Sequence, residues 1–93
     1  MNLSNLTHLN RYHILVVDDE EPIRRMLQHG LSRIGYRCSI VGDGESALRF
    51  LERNPVDVII TDIVMAGMDG VGLLKKVKDR YDTDVIVMTG YAE

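Results

Sequence analysis

Three things are scarce in this sequence: cysteine, long apolar runs and an excess of positive charge. Cys38 is the single cysteine, which excludes an internal disulfide and fits a reducing compartment. Within RCSIV its thiol is expected to serve as a small apolar side chain in a strand. A bilayer span needs about 18 consecutive apolar residues, and no stretch of the 93 residues approaches that length. Eleven Lys and Arg against fourteen Asp and Glu leave a formal charge of −3. That balance gives no basic footprint, so neither direct nucleic-acid binding nor membrane binding is expected. The one basic run, LLKKVKDR, reads as a solvated helix face. The opening MNLSNLTHLNRYH lacks a signal-peptide core, which predicts a cytoplasmic protein with residues 1–11 as a polar N-terminal extension. His8, His13 and His29 have no metal-like spacing and are expected to be surface or strand residues.

What is present is an alternation of two kinds of segment. YHILVV (Tyr12 to Val17) is a short, nearly continuous apolar run rich in β-branched residues, as a strand covered on both faces requires. EPIRRMLQHGLSRIG follows with Ile23, Met26, Leu27, Leu31 and Ile34 at helical spacing, Pro22 in the first turn and Gly35 at the C-terminal cap position. RCSIV is a second strand, ended by Gly42-Asp43-Gly44. ESALRFLERN then puts Ala47, Leu48 and Leu51 on one helix face before Pro55 stops it. DVIIT (Asp57 to Thr61) is a third strand, and GVGLLKKVKDRY carries a stripe of Leu73, Leu74 and Val77. DVIVM (Asp84 to Met88) is the fourth strand. The order βαβαβαβ predicts a doubly wound parallel α/β sheet with right-handed crossovers and helices on both faces. Such a domain rarely ends directly after a strand, so the pattern is read as incomplete, lacking a final helix, strand and helix.

Acidic residues gather where the strands run out. In an open α/β sheet the ligand site lies beyond the carboxyl ends of the strands, at the switch in strand order. Asp18, Asp19 and Glu20 follow strand one, Asp62 follows strand three within VIITDIVMAGMDG, and Thr89 and Gly90 follow strand four. If strands one and three are neighbours, their acids converge. Two carboxylates about 4 Å apart repel by roughly 4 kcal/mol at an effective dielectric of about 20, so such a cluster favours a hard divalent cation. Mg2+ suits carboxylate and carbonyl oxygens and commonly brings a phosphate with it. A carboxylate nucleophile at Asp62 with a Thr hydroxyl beside a Gly amide would make a phosphoryl site. Each residue also has a plainer reading: a cap of the first helix for Asp18, Asp19 or Glu20, a turn acid for Asp62, a turn or helix cap for Asp69, and an ordinary strand end for Thr89.

ILVVDDE, VIITDIVMAGMDG and VIVMTGYA, in that order and at strand ends, resemble the receiver domain of bacterial two-component response regulators. The similarity runs from about Tyr12 to the end of the chain, so residues 12–93 are taken as a receiver domain truncated after strand four, with a flavodoxin-like fold. The resemblance implies a phosphoprotein in phosphorelay signal transduction. Asp62 would take a phosphoryl group from the phosphohistidine of a sensor histidine kinase or a phosphotransfer protein. It further implies that Asp18, Asp19, Asp62 and the backbone carbonyl of Val64 hold Mg2+, that Thr89 is the switch hydroxyl, and that Gly90 leaves room beside the phosphoryl group. Ala66 stands where the family often has proline, and the family's lysine and aromatic switch residue on a fifth strand have no counterpart in the sequence. On this reading the chain is not an enzyme: it receives a phosphoryl group and loses it slowly.

Three other readings stand beside it. A phosphorylation-impaired receiver would act as an interaction or oligomerisation module, with a homodimer formed through an exposed strand four. A Mg2+-dependent phosphatase with an aspartyl nucleophile usually needs a second acid two positions on, where Val64 stands. A flavin-binding domain would need a Thr/Ser/Gly-rich loop after strand one, and the sequence has none there.

Overall fold

A computed structural model of the chain describes residues 12–88; residues 1–11, Thr89 and Gly90 lie outside the described residues. The elements are β1 (His13–Val17), α1 (Glu21–Ile34), β2 (Arg37–Val41), α2 (Gly44–Arg53), β3 (Val58–Asp62), α3 (Gly70–Arg80) and β4 (Asp84–Met88). All pairings are parallel, and the strand order is β2-β1-β3-β4. The chain therefore moves one way from β1 to β2 and the other way from β2 to β3. With right-handed crossovers, that reversal puts α1 on one face and α2 and α3 on the other.

The core lies beneath α2 and α3. Leu15, Val17 and Ile59 from the sheet meet Ala47 and Leu51 of α2, Leu73 and Val77 of α3, and Met65 of the loop between β3 and α3. Burial along β3 shows the asymmetry: Ile59 and Thr61 are fully buried, whereas Val58 and Ile60 on the opposite face are only half-buried. α1 covers that second face lightly and has no fully buried residue. The expected ends of this helix are present: Pro22 sits in its first turn, and Gly35 closes it at φ 118°, a left-handed value that glycine adopts without strain.

Strand bounds shift by a residue: β1 begins at His13 rather than Tyr12. β3 begins at Val58 rather than Asp57 and includes Asp62, because Asp57 is used to close the lower end of the sheet. Its Oδ2 accepts the His13 N–H at 2.7 Å and its own N–H donates to the His13 carbonyl at 2.9 Å. His13 is a buried strand residue whose ring nitrogens meet the Pro55 carbonyl at 3.0 Å and Ser39 Oγ at 2.7 Å. Cys38 is a half-buried strand residue, and burial pushes its thiol pKa up. It is thus a poor nucleophile, in line with its reading as a packing side chain.

Candidate functional site

The site is a consequence of strand order. β1 and β3 are neighbours in register Val17↔Thr61, so the next residue on each, Asp18 and Asp62, emerge side by side at the switch point. Asp18 is buried, Asp62 half-buried and Asp19 exposed, and one carboxylate oxygen from each lies within 4.8 Å of the others. The convergence expected from the sequence is therefore present for these three residues. Glu20 lies outside this group, and its amide donates to Asp18 Oδ1 at 2.8 Å. It is also the N-cap residue of α1, although its side chain makes no capping bond.

The surrounding loops hold the acids by main-chain contacts. The Asp18 N–H donates to the Val41 carbonyl at 3.2 Å. The Ala66 N–H points at Asp19 Oδ2 from 3.4 Å, a contact that a proline at this position could not make. Beneath Asp62, the Gly70 N–H donates to the Ile63 carbonyl at 2.9 Å, and Thr61 Oγ1 donates to the Asp62 carbonyl at 3.1 Å. Asp69 caps α3 by accepting the Gly72 N–H at 2.7 Å, so its plainer reading is the one observed. Asp43 caps α2 in the same way, through Ser46 N–H at 2.7 Å. These two caps tie down the loops on either side of an open groove of about 460 Å³ that has Asp19 on its rim and Gly44, Ala66 and Met68 among its walls.

Among the described residues no ion pair involves Asp18, Asp19 or Asp62. Three convergent carboxylates with no cationic partner are a donor set for a hard cation. The residues present therefore fit Mg2+. Val64, whose carbonyl was expected to join them, sits in the loop after β3 and is 77% exposed. Sequence reasoning overlooked three residues that shape the site: Arg24, whose Nη1 donates to the Asp18 carbonyl at 2.6 Å, Gly70, and Met68, which packs against Gly44. Only Gly70 carried a signal, as the second residue of Asp-Gly before an apolar helix.

The fold is that of a flavodoxin-like α/β domain, with three carboxylates gathered at its topological switch point. The family model for the response regulator receiver domain matches residues 14–93, and the chain belongs to that family. It is 35% identical over 89 residues to a probable transcriptional regulator ycf27 of Cyanidium caldarium, an alignment covering 96% of this chain and 36% of that protein. It is 38% identical over 81 residues to the DNA-binding transcriptional regulator NtrC of Escherichia coli, covering 86% of this chain and 17% of that protein. The chain thus spans a third or less of the length of most such relatives. Among solved structures it resembles the response regulator TrrA of Thermotoga maritima in complex with Mg(2+)-BeF, with a TM-score of 0.81 and 35% identity, over 87% of this chain and 71% of that one. It also resembles a structure of histidine kinase ThkA in complex with TrrA, with a TM-score of 0.82 and 34% identity, over 88% of this chain and 72% of that one.

Proposed function

We propose that the chain is a phosphoryl-accepting signalling switch that takes a phosphoryl group onto Asp62 from a histidine kinase or a phosphotransfer protein. The observation that carries this reading is the approach of Asp18, Asp19 and Asp62 to within 4.8 Å. An Asp62 carboxylate oxygen attacks phosphorus, the donor's P–N bond breaks, and the imidazole keeps the electron pair and takes up a proton. Asp18, Asp19, Asp62 and the Val64 carbonyl would hold Mg2+, which when bound offsets the charge of the carboxylates and of the incoming phosphoryl oxygens. Asp18, buried and fixed at its amide, orients the cluster; Asp19, exposed, faces the solvent from which the donor arrives. Thr89 is assigned the switch hydroxyl and Gly90 the small neighbour, both outside the described residues. Residues 12–93 act as the phosphoacceptor unit in the cytoplasm, and 1–11 as a polar extension without a role in the chemistry. Among the described residues no helix is long and apolar enough to cross a membrane. The chain accepts a phosphoryl group rather than turning over a substrate, so it is not assigned as an enzyme, and direct contact with nucleic acid is not part of the proposal.

The test is incubation with Mg2+ and a small acyl-phosphate donor, read by intact mass. A gain of one phosphoryl group that Asp62→Ala abolishes is the expected result. Phosphorylation that survives Asp62→Ala would sink the assignment.

One observation favours a second reading, in which the chain works as an interaction module. Among the described residues β4 is the last strand of the sheet, and its Ile86 is 53% exposed next to half-buried Val58 and Ile60. A homodimer through β4 would cover them. Light scattering that shows a monomer at ordinary concentrations would remove this reading.

A further inference from the structure

Arg24 lies outside the carboxylate cluster and yet is built into the loop that carries it. In the first turns of α1 its amide donates to the Glu20 carbonyl at 3.1 Å, while its side chain folds back so that Nη1 donates to the Asp18 carbonyl at 2.6 Å. The same guanidinium lies against Gly42, where a Cβ would meet Nη1 at 3.4 Å and Cζ at 3.9 Å. Half-buried Arg24 therefore bridges the turn after β1 and the turn after β2.

This bridge has a geometric and an electrostatic consequence. Asp18 is held at three points: its N–H by the Val41 carbonyl, its carbonyl by Arg24, and its Oδ1 by the Glu20 amide. Its carboxylate has little freedom to turn away from Asp62. The guanidinium also brings a permanent positive charge to the peptide that joins Asp18 to Asp19, while making no bond of its own to the carboxylate oxygens. Arg25, the next residue, is different: its side chain is exposed and pairs with Glu21 at 2.9 Å, an arrangement that contributes little.

We propose that Arg24 is a positioning residue for the cation site, which acts through the Asp18 carbonyl to hold Asp18 and Asp19 in the orientation that meets Asp62. The proposal rests on the reading of this cluster as a Mg2+ site. It is tested by Mg2+ titration followed through backbone amide NMR signals on the wild-type chain, Arg24→Ala, Arg24→Lys and Arg25→Ala. Arg24→Ala is expected to weaken Mg2+ binding about tenfold, the scale of loss when a group orienting a metal ligand is removed. It also shifts the Glu20 amide in the metal-free protein, because the acceptor Asp18 Oδ1 moves. Arg24→Lys, which keeps the charge and a donor, recovers part of the affinity, and Arg25→Ala binds as the wild type does. If Arg24→Ala fails to fold, Arg24→Lys and Arg24→Gln carry the comparison, with Gln binding more weakly than Lys. A folded Arg24→Ala with wild-type affinity and an unmoved Glu20 amide overturns the role of Arg24 and leaves the Mg2+ site standing. A wild-type chain whose amides at 18–20 and 62–66 do not respond to Mg2+ overturns both.

Discussion

Gly70 packs directly beneath the main chain of Asp62: a Cβ at position 70 would overlap the Asp62 carbonyl oxygen and crowd Ile63 Cα at 3.0 Å. The first residue of α3 thus sets how closely the helix approaches the proposed phosphoacceptor, and only glycine fits. Gly70→Ala is expected to lower stability by about 1–3 kcal/mol, the usual cost of overpacking, and to slow phosphorylation of Asp62 more than the stability loss alone explains. Denaturant unfolding beside the rate of acyl-phosphate labelling separates the two effects; a labelling rate equal to wild type would show that Asp62 does not depend on this contact.

Metal-free, the three carboxylates repel one another, so a cation that binds only the folded chain stabilises it. At ten times its dissociation constant Mg2+ adds about 1.4 kcal/mol, which for a domain of this size raises Tm by several degrees. Asp62→Asn should melt higher than wild type in EDTA and gain much less on adding Mg2+. Equal responses of the two proteins in thermal melts would remove Asp62 from the cation site.

Asp43 gives a pH signature. The Ser46 backbone N–H, followed by the Ser46 side chain, holds its carboxyl below the usual carboxylate range. Because the folded pKa lies below the unfolded one, the stabilisation is present above the unfolded value of about 4 and is lost as pH falls through the lower folded value. Asp43→Ala is expected to cost about 1 kcal/mol at neutral pH, and Asp43→Asn to keep most of the cap without this acid dependence. Urea unfolding between pH 3 and pH 7 is the check, and an Asp43→Ala chain as stable as wild type at pH 7 would remove the cap's contribution.

His13 closes the far end of the sheet. A carbonyl can only accept, so Nδ1 donates to Pro55 O, and Nε2 shares its bond with Ser39 Oγ; the ring also meets Phe50 edge-on at a centroid distance of 5.6 Å. His13→Ala is expected to cost about 3 kcal/mol, from an emptied buried site and the loss of two side-chain hydrogen bonds. It should leave the tenfold scale of Mg2+ affinity untouched, since the cluster is at the opposite end of the strands. A stability change under about 0.5 kcal/mol would place His13 among ordinary surface-like substitutions.

How far the sequence reached varies from element to element. β1 was legible because a parallel strand buried along its whole length reads as an unbroken apolar run, and α1 because Pro22 and Gly35 bracket a helical stripe. The start of β3 was displaced by one residue because Asp57 looks like a strand residue in sequence, while its role in bonding His13 depends on β1. Arg24 was illegible for the same kind of reason: a basic residue in a surface helix has no local mark that its guanidinium turns back to a carbonyl six positions earlier.

The sequence by itself determined the alternation of strands and helices, the acids at the strand ends and the family motifs, because periodicity and end residues are local properties. Only the tertiary structure decided that β1 and β3 are neighbours, which brings Asp18 and Asp19 to Asp62. It alone chose Glu20 to serve Asp18 through its amide, pressed Gly70 against the Asp62 carbonyl and turned Arg24 onto Asp18. These contacts join residues through space by strand order and close packing, and neither is written in the spacing along the chain.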